Sequence, residues 1–160
     1  MTDSGPQIAD LLVMYEEGHA VIVAALVGIT EEELDTPEAP GEWTPRQIVH
    51  HLGDSEMISG ANVRKVLAHD NPLISGYDHE VFAETLWRGA PIDDSLDLFR
   101  AARVSTLPLL QGCSEADYSR TWVTPEGDTY TLYEWLTWYG PHAHSHAEQI
   151  TRARATAASS

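Results

Sequence analysis

His142 and His146 stand four residues apart in the stretch Tyr139-Gly-Pro-His142-Ala-His-Ser-His146-Ala-Glu-Gln149. On an α-helix that spacing stacks two side chains on one face, one turn apart, so two imidazoles can grip a single cation. The same face carries Leu132, Trp135, Leu136 and Tyr139 before the pair and Ile150 after it. The histidines therefore interrupt a stripe that otherwise reads as core. Histidine is the commonest metal ligand, yet two ligands do not close a site, and a hydrogen-bonded pair of core histidines would fit the same pattern. His51 supplies a third nitrogen, because it falls on an inward stripe with Ile48, Leu52, Ser55, Ile58, Asn62 and Val66. His50 is about 100° further round that helix and leans toward solvent or a neighbouring helix. His19 lies on the apolar stripe of another helix, as a supporting ligand or a satisfied core residue, and His144 points away from its two neighbours.

Three neutral nitrogens plus one open position is the arrangement of a catalytic zinc, whereas a structural zinc is closed by four ligands and is rich in Cys. Cys113 is the only cysteine, which excludes a thiolate structural site. A divalent metal held this way acts as a Lewis acid and lowers the pKa of a bound water or thiol toward about 7. Zn2+ is the first expectation, and Ni2+ or Fe2+ would also accept imidazole. Asp54 and Glu56 follow in His50-His-Leu-Gly-Asp54-Ser-Glu56 and are candidate catalytic bases or ligand-orienting groups, unless they are solvated helix charges. The metalloprotease pattern HExxH would need Glu where Ala143 stands. A loose likeness to HxHxDH fails at Ser145, which occupies the aspartate position.

Four long amphipathic segments must position these residues. Ser4-Gly-Pro-Gln7 has the form of a capping box, after which Ile8, Leu12, Tyr15, His19, Ile22 and Leu26 define a first helix ending near Gly28. The apolar run Ala20–Ile29 is far short of the roughly 20 residues that span a bilayer and reads as buried helix. Residues 30–43 are acidic and hold Pro37, Pro40 and Gly41, so a loop is expected, with Trp43 closing the core beneath it. Thr44-Pro-Arg-Gln47 is the clearest start signal, with Thr as N-cap, and the second helix should run to about Ala68. Residues 69–91 form a long connection, with a short helix expected over 78–87, and Tyr77, His79, Phe82 and Trp87 are candidates to wall a pocket or else ordinary packing residues. Asp93 or Asp94 caps a third helix through Leu96, Phe99, Ala102, Thr106 and Leu110. Residues 124–128 read as a turn between two short extended segments. Thr131-x-x-Glu134 caps the fourth helix, which Pro141 should kink just before His142, and the tail from about residue 155 is expected to fray. Four such helices with one long crossover between the second and third make an all-α four-helix bundle, here a single domain over residues 1–160.

Composition narrows the partners. Nine Lys and Arg against 25 Asp and Glu give a formal charge of −16, which repels nucleic-acid phosphates and anionic membranes. The N-terminal residues show neither a basic region nor a long apolar run, so a cytoplasmic protein acting on a small molecule is expected.

Trp43-Thr-Pro-Arg-Gln-Ile-Val-His-His51-Leu-Gly-Asp54-Ser-Glu56 and Tyr139-Gly-Pro-His142-Ala-His-Ser-His146-Ala-Glu-Gln149-Ile150 together resemble the helix-two and helix-four signatures of the DinB-like (DinB/YfiT) superfamily. The resemblance covers the whole chain in order and spacing. It implies an up-down-down-up bundle, a divalent metal on His51, His142 and His146, and a homodimer. The superfamily includes transferases and isomerases that use low-molecular-weight thiols, as well as hydrolase-like members. The leading expectation is a metal-dependent transferase that activates such a thiol for attack on a small electrophile, with Arg64, Lys65 and Arg88 available to the thiol's carboxylate or simply surface charges. The alternatives are metal-water hydrolysis of a small amide or ester, and a non-catalytic stress-response or binding module stabilised by metal.

Overall fold

The computed structural model describes residues 6–159. Ser4, expected as a cap, lies outside them. Helix α1 (Ile8–Leu26) begins after Gln7, whose side chain makes no capping bond. Where a loop was expected, Thr30 caps the four-residue helix α2 (Glu31–Leu34) with a complete capping box. Helix α3 (Pro45–Ala68) starts on Thr44, whose side chain accepts from the Gln47 amide while Gln47 reaches back to the Thr44 amide. Within the long connection, Asp78 caps the short helix α4 (His79–Thr85). Helix α5 (Asp93–Gln111) corrects one expectation: its N-cap is Ile92, with no side-chain cap bond, so Asp93 and Asp94 sit inside the first turn and favour it through the helix dipole. Ser114 caps another four-residue helix, α6 (Glu115–Tyr118), which the sequence reading passed over. The expected extended segments form an antiparallel hairpin of β1 (Thr121–Val123) and β2 (Thr129–Thr131), paired Thr121 to Thr131. Helix α7 (Leu132–Ala157) starts on the Thr131–Glu134 capping box. It continues unbroken through Pro141 and runs to Ala157.

The four long helices close into one bundle, and cross-helix contacts give their directions. Gly53 meets Ser95 and Gly60 meets Thr106, so α3 and α5 run the same way. Leu11 meets Gly140 and Ala25 meets Arg154, so α1 and α7 also run together. His51 meets His142 and Ser55 meets Tyr139, so α3 opposes α7. The order is up, down, down, up, and the connection over residues 69–92 is what returns the chain to the starting end of α3. Among the described residues, no helix is long and apolar enough to cross a membrane.

Two buried clusters fill the bundle. One, at the hairpin end, contains Val63, Val66, Leu110, Trp122, Leu132 and Trp135. The other, toward the opposite end, contains Ile22, Ile48, Leu52, Phe99, Ala143 and Ile150. Along α3 and α5 the buried polar residues Asp54, Ser55, Glu56 and Arg103 fall between the two clusters, while His51 and His146 are flanked in sequence by residues of the second.

Candidate metal centre

His51 projects from α3, and His142 and His146 project from the facing turns of α7. Their Nε2 atoms converge: His51 to His142 is 3.2 Å and His142 to His146 is 3.1 Å. All three ligand atoms lie within 4.8 Å of one another. The chemistry of these donors fits a divalent cation. Ligands about 2.0–2.1 Å from a tetrahedral zinc stand roughly 3.4 Å apart, close to the spacing found. Burial, and then the neighbouring His146 and His79, push the His51 pKa down to about 3, and burial likewise holds His142 well below the usual histidine value. Burial also lowers His146. The ring nitrogens are therefore neutral, with lone pairs free. His146 Nδ1 lies 3.0 Å from Gln149 Oε1, which fixes the proton on Nδ1 and leaves Nε2 as a donor to a cation. The Nδ1 atoms of His51 and His142 are buried without a hydrogen-bond partner among the described residues, so of the three rings only His146 has its tautomer set by a neighbour.

The three histidines open on one side into a cavity of about 350 Å³, walled by Trp43, Ser55, Tyr77, His79, Trp138 and Tyr139. Trp43 lies over the cluster, with its ring parallel to His146 at 6.2 Å and tilted against His51 at 4.7 Å. Its indole N–H donates to Glu80 Oε2, which ties this wall to α4. His79 stands edge-on to His51 at 5.9 Å.

Asp54 and Glu56 do not line this cavity. Asp54 Oδ2 accepts the Trp87 indole N–H at 2.7 Å. Glu56 is fully buried, taking Arg103 Nε at 3.0 Å and the Tyr15 hydroxyl at 2.5 Å. Each carboxylate is thus paired with a donor away from the histidine cavity. His50 turns to the neighbouring helix, with Nδ1 2.7 Å from Ser95 Oγ and its ring stacked on Trp87 at 4.8 Å. His19 packs on the Phe99 ring, and His144 donates to the Met14 carbonyl, so neither joins the cluster. Trp87 and Phe82 support the wall without lining it: Trp87 holds His50 and Asp54, and Phe82 packs against Tyr77. Arg64 is taken up by Gly60, Ser105 and Thr106, and Arg88 by the Glu84 carbonyl. Lys65 bonds Asn62. Sequence reasoning missed Ser55, Trp138 and Tyr139 as wall residues. The signal was present, since Ser55 and Tyr139 lie one turn from His51 and His142 on the same inward stripes.

Residues 14–150 match the model of the DinB superfamily. The chain belongs to the DinB superfamily. A relative from Geobacillus thermodenitrificans, provisionally named a metal-dependent hydrolase, is 36% identical over 137 residues, 82% of this chain and 75% of its own length. Another with the same provisional name, from Oceanobacillus iheyensis, is 32% identical over 126 residues, 79% of this chain and 73% of its own. Among solved structures, YfiT from Bacillus subtilis, provisionally described as a metal-dependent hydrolase with an unusual four-helix bundle topology, superposes with a TM-score of 0.88 at 29% identity, over 98% of this chain and 91% of its own. A mycothiol-dependent maleylpyruvate isomerase shares the fold at 17% identity, with a TM-score of 0.65 over 91% of this chain and 61% of its own. The DinB bundle is thus the shared frame.

Proposed function

We propose that this DinB protein is a metal-dependent transferase that passes a low-molecular-weight thiol to a small electrophile. When bound by His51, His142 and His146, a divalent cation such as Zn2+, Ni2+ or Fe2+ would supply Lewis acidity and hold a thiol as thiolate at neutral pH. The observation that carries this reading is the wall of the histidine cavity, which apart from His79 is aromatic and hydroxylic and, among the described residues, includes no carboxylate. Attack by water on an amide or ester needs a positioned base and a proton donor for the leaving group. A thiolate needs no base. In the transfer, the sulfur lone pair forms a carbon–sulfur bond, and the carbon–leaving-group bond breaks with its electron pair going to the leaving group. The chain's residues contribute orientation and dryness: Gln149 sets the His146 tautomer, and Trp43 screens the histidines from solvent on one side. The thiol requirement of the isomerase that shares the fold is consistent with this chemistry.

Hydrolysis by a metal-bound water is the second reading, favoured by the provisional names of the 36% and 32% identical relatives. On it, His79 would have to serve as the base, since its imidazole stands beside the cluster at the cavity wall.

Elemental analysis and a conjugation assay decide between the readings. The wild type should carry about one divalent metal per chain, and His51→Ala and His142→Ala should carry almost none. With chlorodinitrobenzene and a low-molecular-weight thiol, the loaded wild type should release chloride at least about 100-fold faster than either variant. Ester cleavage by the loaded protein without thiol, and no chloride release with any thiol, would replace transfer by hydrolysis. Metal that raises Tm with neither activity would leave a stabilising role.

A further inference from the structure

A second cavity, of about 300 Å³, adjoins the histidine cavity and shares Tyr77, Trp138 and Tyr139 with it. The crossing segment of the long connection frames it: Ile74 N donates to the Val123 carbonyl at 2.9 Å and Val123 N to the Pro72 carbonyl at 3.0 Å, which pins the segment to the hairpin. Its lining includes Ile58, Val63, Val66, Trp122, Leu132 and Trp135, and no lining residue carries a charge. Two buried donors of this lining have no acceptor among the described residues, the Tyr77 hydroxyl and the Trp135 indole N–H. Ser55 Oγ, whose hydrogen bond pulls the Tyr77 pKa down, is shared with the Tyr139 hydroxyl at 3.1 Å, so the Tyr77 hydroxyl has no acceptor of its own. Each of the two is a buried donor that the acceptor oxygen of a ligand can meet in place of water. Burial pushes the Tyr77 pKa up to about 12, so at neutral pH its hydroxyl keeps the proton it would donate.

We propose that this cavity seats the electrophile: an uncharged small molecule with an apolar, ring-sized body and a hydrogen-bond-accepting oxygen, which the Tyr77 hydroxyl takes at the junction with the histidine cavity. The Trp135 N–H is the second donor available to it. An anion is disfavoured by a lining without cations in a chain of net charge −16. The order of the two cavities rests on the transferase reading: sulfur is held at the histidines, and the reacting carbon enters from the apolar side, past Tyr77.

Binding of probe molecules tests the site without relying on activity. Acetophenone, isopropylbenzene and benzoate are titrated by ligand-observed NMR against the full chain and against Tyr77→Phe, Ile58→Trp and His51→Ala. Acetophenone should bind about tenfold more tightly than isopropylbenzene, the worth of one buried hydrogen bond, and benzoate should not bind measurably. Tyr77→Phe should abolish the tenfold preference while isopropylbenzene binding stays, and Ile58→Trp, which fills the cavity, should weaken both. His51→Ala should leave both unchanged. Equal affinity for the two probes in the wild type, or a preference that survives Tyr77→Phe, would overturn the role of Tyr77. Full binding by a folded Ile58→Trp, or loss of binding in His51→Ala, would overturn the location. Should Ile58→Trp fail to fold, Tyr77→Phe alone decides. Failure of the transferase reading shows separately, as no chloride release from chlorodinitrobenzene while acetophenone still binds.

Discussion

At the scale of single residues, the guanidinium of Arg103 ties its own helix, α5, to the other three long helices. Only 3% exposed, it donates Nε to Glu56 on α3, Nη1 to the Tyr15 carbonyl on α1 at 2.7 Å and Nη2 to the Tyr139 carbonyl on α7 at 2.9 Å. Its plane lies 4.2 Å from the Tyr15 ring centre. The Tyr139 carbonyl is one turn before the histidines of α7, so Arg103 fixes the register of that helix against α3. Removing one partner of a buried pair leaves the other charge uncompensated, at a cost of about 3–5 kcal/mol. Arg103→Met should therefore lose that much in urea unfolding. Arg103→Met combined with Glu56→Gln should recover on the order of 1–2 kcal/mol, because the stranded carboxylate is gone. Equal stability of the single and double variants would show that Glu56 is not the charge Arg103 balances. Arg103 did not announce itself in the sequence, and Glu56 did so only as a candidate base, since an Arg and a Glu on amphipathic helices read as solvent-facing until a partner on another helix is known. The histidines did announce themselves, because three of them break apolar stripes.

At the scale of elements, helices packed this closely need a gap for that guanidinium, and Gly18 on α1 provides it. A Cβ there would lie 2.0 Å from Arg103 Nη1 and 2.9 Å from Ala143 Cβ. Gly18→Ala, which in an exposed helix would stabilise, should here destabilise by about 1–3 kcal/mol and lower Tm by several degrees, as thermal scans would show. The long elements and their starts were legible because Thr44 and Thr131 carry complete capping boxes ahead of long periodic runs. Helices α2 and α6 were not, because four residues are too few to show a period. Thr30 with Glu33 and Ser114 with Asp117 were nonetheless readable as caps. Helix α2 is held to α3 by Arg46, whose Nε and Nη2 reach Asp35 and whose Nη2 also reaches Glu31. The Arg46 hydrogen bond holds the Asp35 pKa below the ordinary carboxylate value. A depressed folded pKa contributes stability that is present above the unfolded value, about 3.9, and is lost as pH falls through the folded one. Arg46→Met should lower Tm by about 3–6 °C at pH 7, and the gap to wild type should narrow below about pH 4. A gap that stays constant to pH 3 would mean that Arg46 acts through its bond to the Ala90 carbonyl at 2.9 Å rather than through Asp35.

At the scale of the whole molecule, the charge of −16 sets a balance between repulsion over the surface and attraction within pairs. Salt acts on both. Several pairs have an exposed partner: Glu31 is 84% exposed opposite Arg46, and Asp70 is 103% exposed opposite Arg120. Such pairs are each worth about 0–1 kcal/mol and fade as salt rises. The Glu56–Arg103 pair, 0% and 4% exposed, is out of reach of mobile ions and keeps its strength. Against these few losses stands the mutual repulsion of a large excess of carboxylates on a bundle whose folding brings them together, and the Debye length shortens from roughly 30 Å at 0.01 M to about 6–8 Å near 0.2 M. Relief of repulsion exceeds the weakening of exposed pairs, so Tm at pH 7 should rise by a few degrees from 10 mM to 200 mM NaCl. The same excess keeps anionic partners away at low salt, so uncharged probes should bind the apolar cavity with little dependence on salt across this range. A Tm that falls with added NaCl would mean that exposed pairs such as Glu31–Arg46 outweigh the repulsion among the excess carboxylates.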